Sequence, residues 1–140
     1  MAVFDHELMV SASVDELNRL VDWIDEILEA ESCVIKAHSH VAIVVEEIFV
    51  NIARYAYNGL EGTVLVRLGF EGPRMIMQFE DSGTAFNPLE YLELDTKAGI
   101  DQRRIGGMGI YLVRKMMDEV SYARVDDKNV FTIHKTIREV

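Results

Sequence analysis

The sequence is poor in everything that would cross-link a chain or hold it in a membrane. It has one cysteine, Cys33, in 140 residues. A single thiol closes no intrachain disulfide and builds no cysteine zinc site, so a disulfide scaffold is excluded and a reducing compartment is expected. There are two prolines, Pro73 and Pro88, and no repeat, low-complexity tract or Ser/Pro-rich linker, so one domain over residues 1–140 is expected. The apolar run near the middle, Val41 to Val45, is far short of the ~20 residues that span a bilayer. Met1 to Glu7 offer neither the basic nor the apolar segment of a signal peptide, and a cytoplasmic protein is expected. Basic residues are in deficit: 14 Lys and Arg against 24 Asp and Glu give a net charge of −10. That balance lacks the basic face that meets nucleic-acid phosphates, although it leaves room for a small positive spot at a single phosphate site. What is present is apolar: 49% of residues are hydrophobic, enough for a full core.

Residues 3–11 alternate loosely and predict an opening strand. Ser13-Val14-Asp15-Glu16 has the form of a capping box, in which the Ser13 hydroxyl bonds the amide three residues on. Leu17, Leu20, Val21, Ile24, Ile27 and Leu28 follow at helical spacing and predict a helix over 14–30. Val41, Val44, Val45, Ile48, Phe49 and Ile52 predict the buried side of a second helix over 35–57, stopped by Asn58-Gly59. Thr63–Phe70 and Arg74–Asp81 alternate at period two around Glu71-Gly72-Pro73, as a hairpin does. Ser82 to Gly107 shows no clear periodicity beyond a short helical turn at Leu89–Leu92, and a connection of that length in a compact domain is usually functional. Gly109–Asp118 reads as a helix, and 119–125 with 130–137 as a second hairpin across Asp126-Asp127-Lys128-Asn129. The expected fold is α+β: a two-layer sandwich with a mixed, mostly antiparallel sheet covered on one face by helices.

Three segments carry polar chemistry. Glu47 and Asn51 lie four residues apart on an otherwise apolar helix, so both project from one face. An amide oxygen suits a hard cation such as Mg²⁺ and a nearby carboxylate can take a proton, although a solvated helix face gives the same pattern. Asp81 ends an apolar strand and enters a Ser82-Gly83 turn, where it could accept from a ligand's amino group while Gly83 lets a flat ring approach. Ordinary Asp-Ser-Gly turns look alike. Gly106, Gly107 and Gly109 open a helix, where free N–H groups and the positive end of the dipole bind phosphate. No strand leads into these glycines and no Gly-Lys-Ser/Thr follows, so they form neither a dinucleotide fingerprint nor a Walker loop.

The order and gaps of the three segments resemble the N, G1 and G2 boxes of the Bergerat ATP-binding fold, shared by gyrase B, MutL and sensor histidine kinases. The N box is matched by Glu47 and Asn51, the G1 box by Asp81 and Gly83, and the G2 box by Gly107 and Gly109. Within that superfamily, Asp81-Ser82-Gly83-Thr84-Ala85-Phe86-Asn87-Pro88 and Gly106-Gly107-Met108-Gly109-Ile110-Tyr111-Leu112-Val113 are similar to anti-sigma-factor serine kinases of the RsbW type. Tyr55-Ala56-Tyr57 departs from the His-Ala-Tyr frequent there.

The resemblance implies ATP and Mg²⁺ as cofactors, with Asn51 coordinating the metal, Asp81 accepting from the adenine amino group and Gly83 shaping the adenine pocket. It also implies that Gly106, Gly107 and Gly109 bond the phosphates, that residues 84–106 form an ATP lid, and that Arg103 or Arg104 offsets γ-phosphate charge. Thr132 is a candidate for holding Asp81 or a water at adenine, and Glu47 for the general base. The activity implied is transfer of the γ-phosphate to a Ser or Thr of a STAS-type anti-sigma-factor antagonist, with a sigma factor as the other partner. Relatives often form homodimers. The alternative is a nucleotide-gated adaptor that transfers no phosphate. A histidine-kinase fragment would need a preceding helical hairpin, for which no room is expected before the first strand.

Overall fold

The computed structural model describes residues 4–89 and 107–139. The chain runs β1 (His6–Ser11), α1 (Leu17–Ala30), α2 (Ile35–Tyr55), β2 (Thr63–Glu71), β3 (Arg74–Asp81), α3 (Gly107–Met116), β4 (Glu119–Val125) and β5 (Lys128–Thr136). A single 3-10 turn, Val14–Glu16, leads into α1. That tighter turn changes the expected cap: the Ser13 hydroxyl accepts from Asp15 N at 3.3 Å, two residues on rather than three. Glu16 instead lies 3.5 Å from Arg19.

Spacing decides which side of each helix is buried. Leu20, Ile24, Ile27 and Leu28 turn inward from α1, as do Ala37, Val41, Val44, Val45, Ile48 and Phe49 from α2. Ile52 is partly buried against the same core. The helix α2 ends at Tyr55, two residues earlier than its apolar pattern suggests, and Asn58 and Gly59 carry the chain away with positive φ of 51° and 82°.

The five strands form one sheet in the order β1-β2-β3-β5-β4, and every pairing among the described residues is antiparallel. Val64, Val66 and Leu68 on β2, Met75, Met77 and Phe79 on β3, and Phe131 and Ile133 on β5 face the helices and close the core. The opposite face mixes apolar residues, Met9, Leu65, Ile76 and Val130, with charged ones, and on it Arg67 lies between Glu7 at 2.9 Å and Glu80 at 3.2 Å. The α+β sandwich is thus the expected one, with an antiparallel rather than mixed sheet.

The second hairpin differs from its expected form. Its loop is two residues, Asp126 and Asp127, with φ of 51° and 62°. Positive φ at both positions matches the right-handed twist of the flanking strands, and Asp tolerates it better than most residues. Lys128 and Asn129 therefore belong to β5, and Val125 pairs with Lys128.

His134, on the face away from the helices and paired with Ile76, contributes a pH dependence. Its Nε2 lies 3.4 Å from Glu119, while its buried Nδ1 has no partner among the described residues. Burial, and next the Arg74 guanidinium, push its pKa below the ordinary imidazole value, against a smaller pull from Glu119, Glu71 and Asp118. The unfolded chain then binds the proton more readily than the folded one, so stability is retained above about pH 6.5 and falls as pH drops through it. Urea midpoints at pH 7.5 and 5.5 should show a smaller loss for His134→Gln than for the wild type; equal losses would contradict this account.

Candidate nucleotide site

The helix α2 organises the site. Glu47 and Asn51, one turn apart and both half-buried, stand on its line beside the core-facing Ile48. The start of α3 lies directly on Glu47. A Cβ built on Gly109 would fall 2.0 Å from Glu47 Oε2 and 2.8 Å from its Cδ, so only glycine admits the carboxylate there. The helix α3 is held in place by Ile110 and Val113, 2% and 0% exposed. Its first N–H groups have no intrahelical acceptor, which gives that end a partial positive charge. A carboxylate and an anion-attracting helix start thus share one place.

The other end of α2 holds the turn after β3. The Ala56 carbonyl accepts from Thr84 N at 2.8 Å, and Asn58 Nδ2 donates to Thr84 Oγ1 at 3.0 Å. The Tyr57 hydroxyl accepts from Ser82 N at 2.9 Å and donates to the Thr63 carbonyl. Gly83 lies against α2 so closely that a Cβ would sit 2.2 Å from the Ala56 carbonyl oxygen. From the sheet side, Arg124 Nη1 donates to the Gly83 carbonyl at 2.9 Å.

Asp81 is the last residue of β3 and points to the helix-covered face, in phase with Met77 and Phe79. It is 5% exposed. Its Oδ1 accepts from Gly83 N and from Asn129 Nδ2, each at 2.9 Å, and among the described residues none donates to Oδ2. That oxygen is open to a further donor.

Thr132 is not where the expected role needs it. It pairs with Gln78 and Ser121, out of phase with the inward Phe131 and Ile133, so it lies on the opposite face from Asp81. The residue holding Asp81 is Asn129, directly across the sheet in register and 7% exposed. Asn129 is in phase with Phe131 and Ile133, a signal hidden by reading it as part of a four-residue turn. Gly106, Arg103, Arg104 and most of the expected lid lie outside the described residues; Pro88 and Leu89 are helical, and the rest of the expected turn to Leu92 lies outside them too. Gly107 is the first residue of α3.

An antiparallel sheet with helices on one face, a carboxylate at the end of its central strand, and a glycine-opened helix against a Glu/Asn pair define a nucleotide-binding domain of the Bergerat type. The profile of the histidine kinase-like ATPase domain family matches residues 10–135. The chain belongs to that family and is an ATP-binding domain. No curated protein matches it. No helix among the described residues is long and apolar enough to cross a membrane.

The contact between Gly109 and Glu47 yields a prediction. Only the tip of a flexible side chain meets the added methyl group, so Gly109→Ala should fold, with a thermal midpoint within a few degrees of wild type. The displaced carboxylate should lower ATP turnover about 10-fold or more, since small misplacements of reacting groups are costly. Turnover at the wild-type rate would show that Glu47 does not need its present place.

Proposed function

We propose that this chain is an ATP-dependent serine/threonine protein kinase acting as an anti-sigma factor, which moves the γ-phosphate of ATP to a Ser or Thr of a STAS-type antagonist. The observation that carries the transfer step is the Glu47 carboxylate lying against the glycine-opened start of α3. The choice of substrate rests on the likeness of residues 81–88 and 106–113 to anti-sigma-factor kinases.

In this reading Asp81 Oδ2 accepts from the adenine amino group and Gly83 leaves room for the ring. Backbone N–H groups at Gly106, Gly107 and Gly109 take the phosphates. Residues 84–106 close over the nucleotide as a lid, in which Arg103 or Arg104 meets the γ-phosphate. Among the described residues no group of three His, Cys, Asp or Glu could hold a metal. Magnesium would therefore be held largely by phosphate oxygens and water, with the half-buried Asn51 amide oxygen as a neutral protein ligand, a set that suits this ion. When bound it neutralises phosphate charge.

Glu47 orients the substrate hydroxyl and takes its proton. The hydroxyl oxygen forms the new bond to the γ-phosphorus, the bond to the β,γ-bridging oxygen breaks, and ADP leaves with that oxygen. Transfer is mainly a matter of alignment and charge neutralisation, which a positioned carboxylate and a helix start provide. The partners are then the antagonist and a sigma factor, and the compartment is the cytoplasm.

Incubating the chain with labelled ATP and a STAS-type protein encoded beside it tests the proposal. Labelled serine or threonine is the expected result. Retained ATP binding with no labelled residue would favour the adaptor reading instead.

A further inference from the structure

We infer that Asn129 is a positioning residue that selects the purine base through Asp81 without touching the nucleotide. The inference rests on adenine binding at Asp81. An asparagine amide has two N–H donors and one oxygen with two lone pairs. At Asn129 all four are used. Nδ2 donates to Asp81 Oδ1 and to the Thr84 carbonyl, each at 2.9 Å. Oδ1 accepts from the Tyr122 hydroxyl and from Phe86 N, the latter at 3.3 Å. The network also fixes which way the amide points, because reversing it would face its oxygen with two acceptors, Asp81 Oδ1 and the Thr84 carbonyl, and its nitrogen with the Phe86 N–H donor.

Two consequences follow from this saturation. Asn129 has no hydrogen-bonding capacity left for a base or a water, so its effect on a ligand passes through Asp81. Asp81 in turn has Oδ1 held by two donors, Gly83 N and Asn129 Nδ2, which leaves Oδ2 to face the ligand purely as an acceptor. An acceptor fixed there favours a purine carrying an exocyclic amino donor and disfavours one presenting a carbonyl oxygen at that edge. Buried polar groups left without a partner give the steepest discrimination between such ligands. The same amide ties Asp81 to the main chain at Thr84 and Phe86, so the base-recognising carboxylate and the segment that follows it move as one body.

Competition against a fluorescent ATP analogue tests this, with ADP and GDP as competitors on the full chain. The wild type should prefer ADP. In Asn129→Ala the ADP affinity should fall about 10- to 100-fold, as expected for loss of a bond to a charged group, while GDP changes little, so the ADP/GDP ratio collapses. Tyr122→Phe removes one hydroxyl and should shift the ratio the same way by about 2- to 10-fold, which keeps the test intact if Asn129→Ala does not fold. An unchanged ratio in the folded variants, or equal losses for both competitors, would overturn the inference. A wild type that does not discriminate would overturn adenine recognition at Asp81 itself, a separate failure visible before any variant is made.

Discussion

Glu47→Gln should lose about 10²- to 10⁴-fold in phosphotransfer rate while binding Mg·ATP within a few-fold of the wild type, the range seen when a positioned proton acceptor is removed. Glutamine matches glutamate in shape, so the contact with Gly109 survives and the start of α3 stays in place. In the proposed reaction, what disappears is the ability to take the proton of the substrate hydroxyl. The expected signature is a fall in kcat with nearly constant affinity, as for an interaction made only on the way to the transition state. Glu47→Ala should show the same split. Equal loss of binding and transfer in Glu47→Ala would remove Glu47 from the chemistry and make it a structural prop beneath α3.

Gly83→Ala should be more damaging than Gly109→Ala. Unlike the methyl at position 109, it meets main chain: 2.2 Å to the Ala56 carbonyl oxygen and 2.6 Å to its carbon. Neither can swing aside, because Ala56 is the C-terminal cap of α2 and its carbonyl already accepts from Thr84 N. The turn must move, and with it the bonds from Gly83 N to Asp81 and from Arg124 to the Gly83 carbonyl. Overpacking of this kind costs about 1–3 kcal/mol, so the urea midpoint should fall clearly and ATP binding should drop at least about 100-fold even where the chain remains folded. Wild-type ATP affinity in Gly83→Ala would mean that no ring approaches this backbone.

Much of this was legible in the amino acids, for reasons that are local. The apolar spacing of α1 and α2 defines their buried sides, since a helix needs only its own neighbours to become amphipathic. The first hairpin is bounded by Gly72-Pro73, and Gly72 does take positive φ. Glu47 and Asn51 share a face because four residues make about one turn. The Gly109–Glu47 contact joins residues far apart in sequence, and only the docking of α3 on α2 reveals it.

The parts that were not legible depend on pairing between distant strands. Asp126, Asp127, Lys128 and Asn129 are all residues that turns accept, so composition alone does not say which two form the loop. Only the pairing of Val125 with Lys128 decides it and brings Asn129 opposite Asp81. Thr132 was excluded by information already present: Phe131 and Ile133 flank it, and a strand that buries both must turn the residue between them to the other face. That β5 rather than β4 lies beside β3 is a non-local fact with no short-range signature.

In the proposed function one nucleotide is held between Asp81 and an Asn51-bound magnesium ion. Calorimetric titration of ATP into the protein, with magnesium and then with EDTA, tests it most directly when run in parallel on Asp81→Ala. Saturable binding of one ATP per chain is expected with magnesium, a sharp loss of affinity on chelation, and no measurable binding to Asp81→Ala. A titration curve indifferent to EDTA, or wild-type affinity in Asp81→Ala, would contradict it.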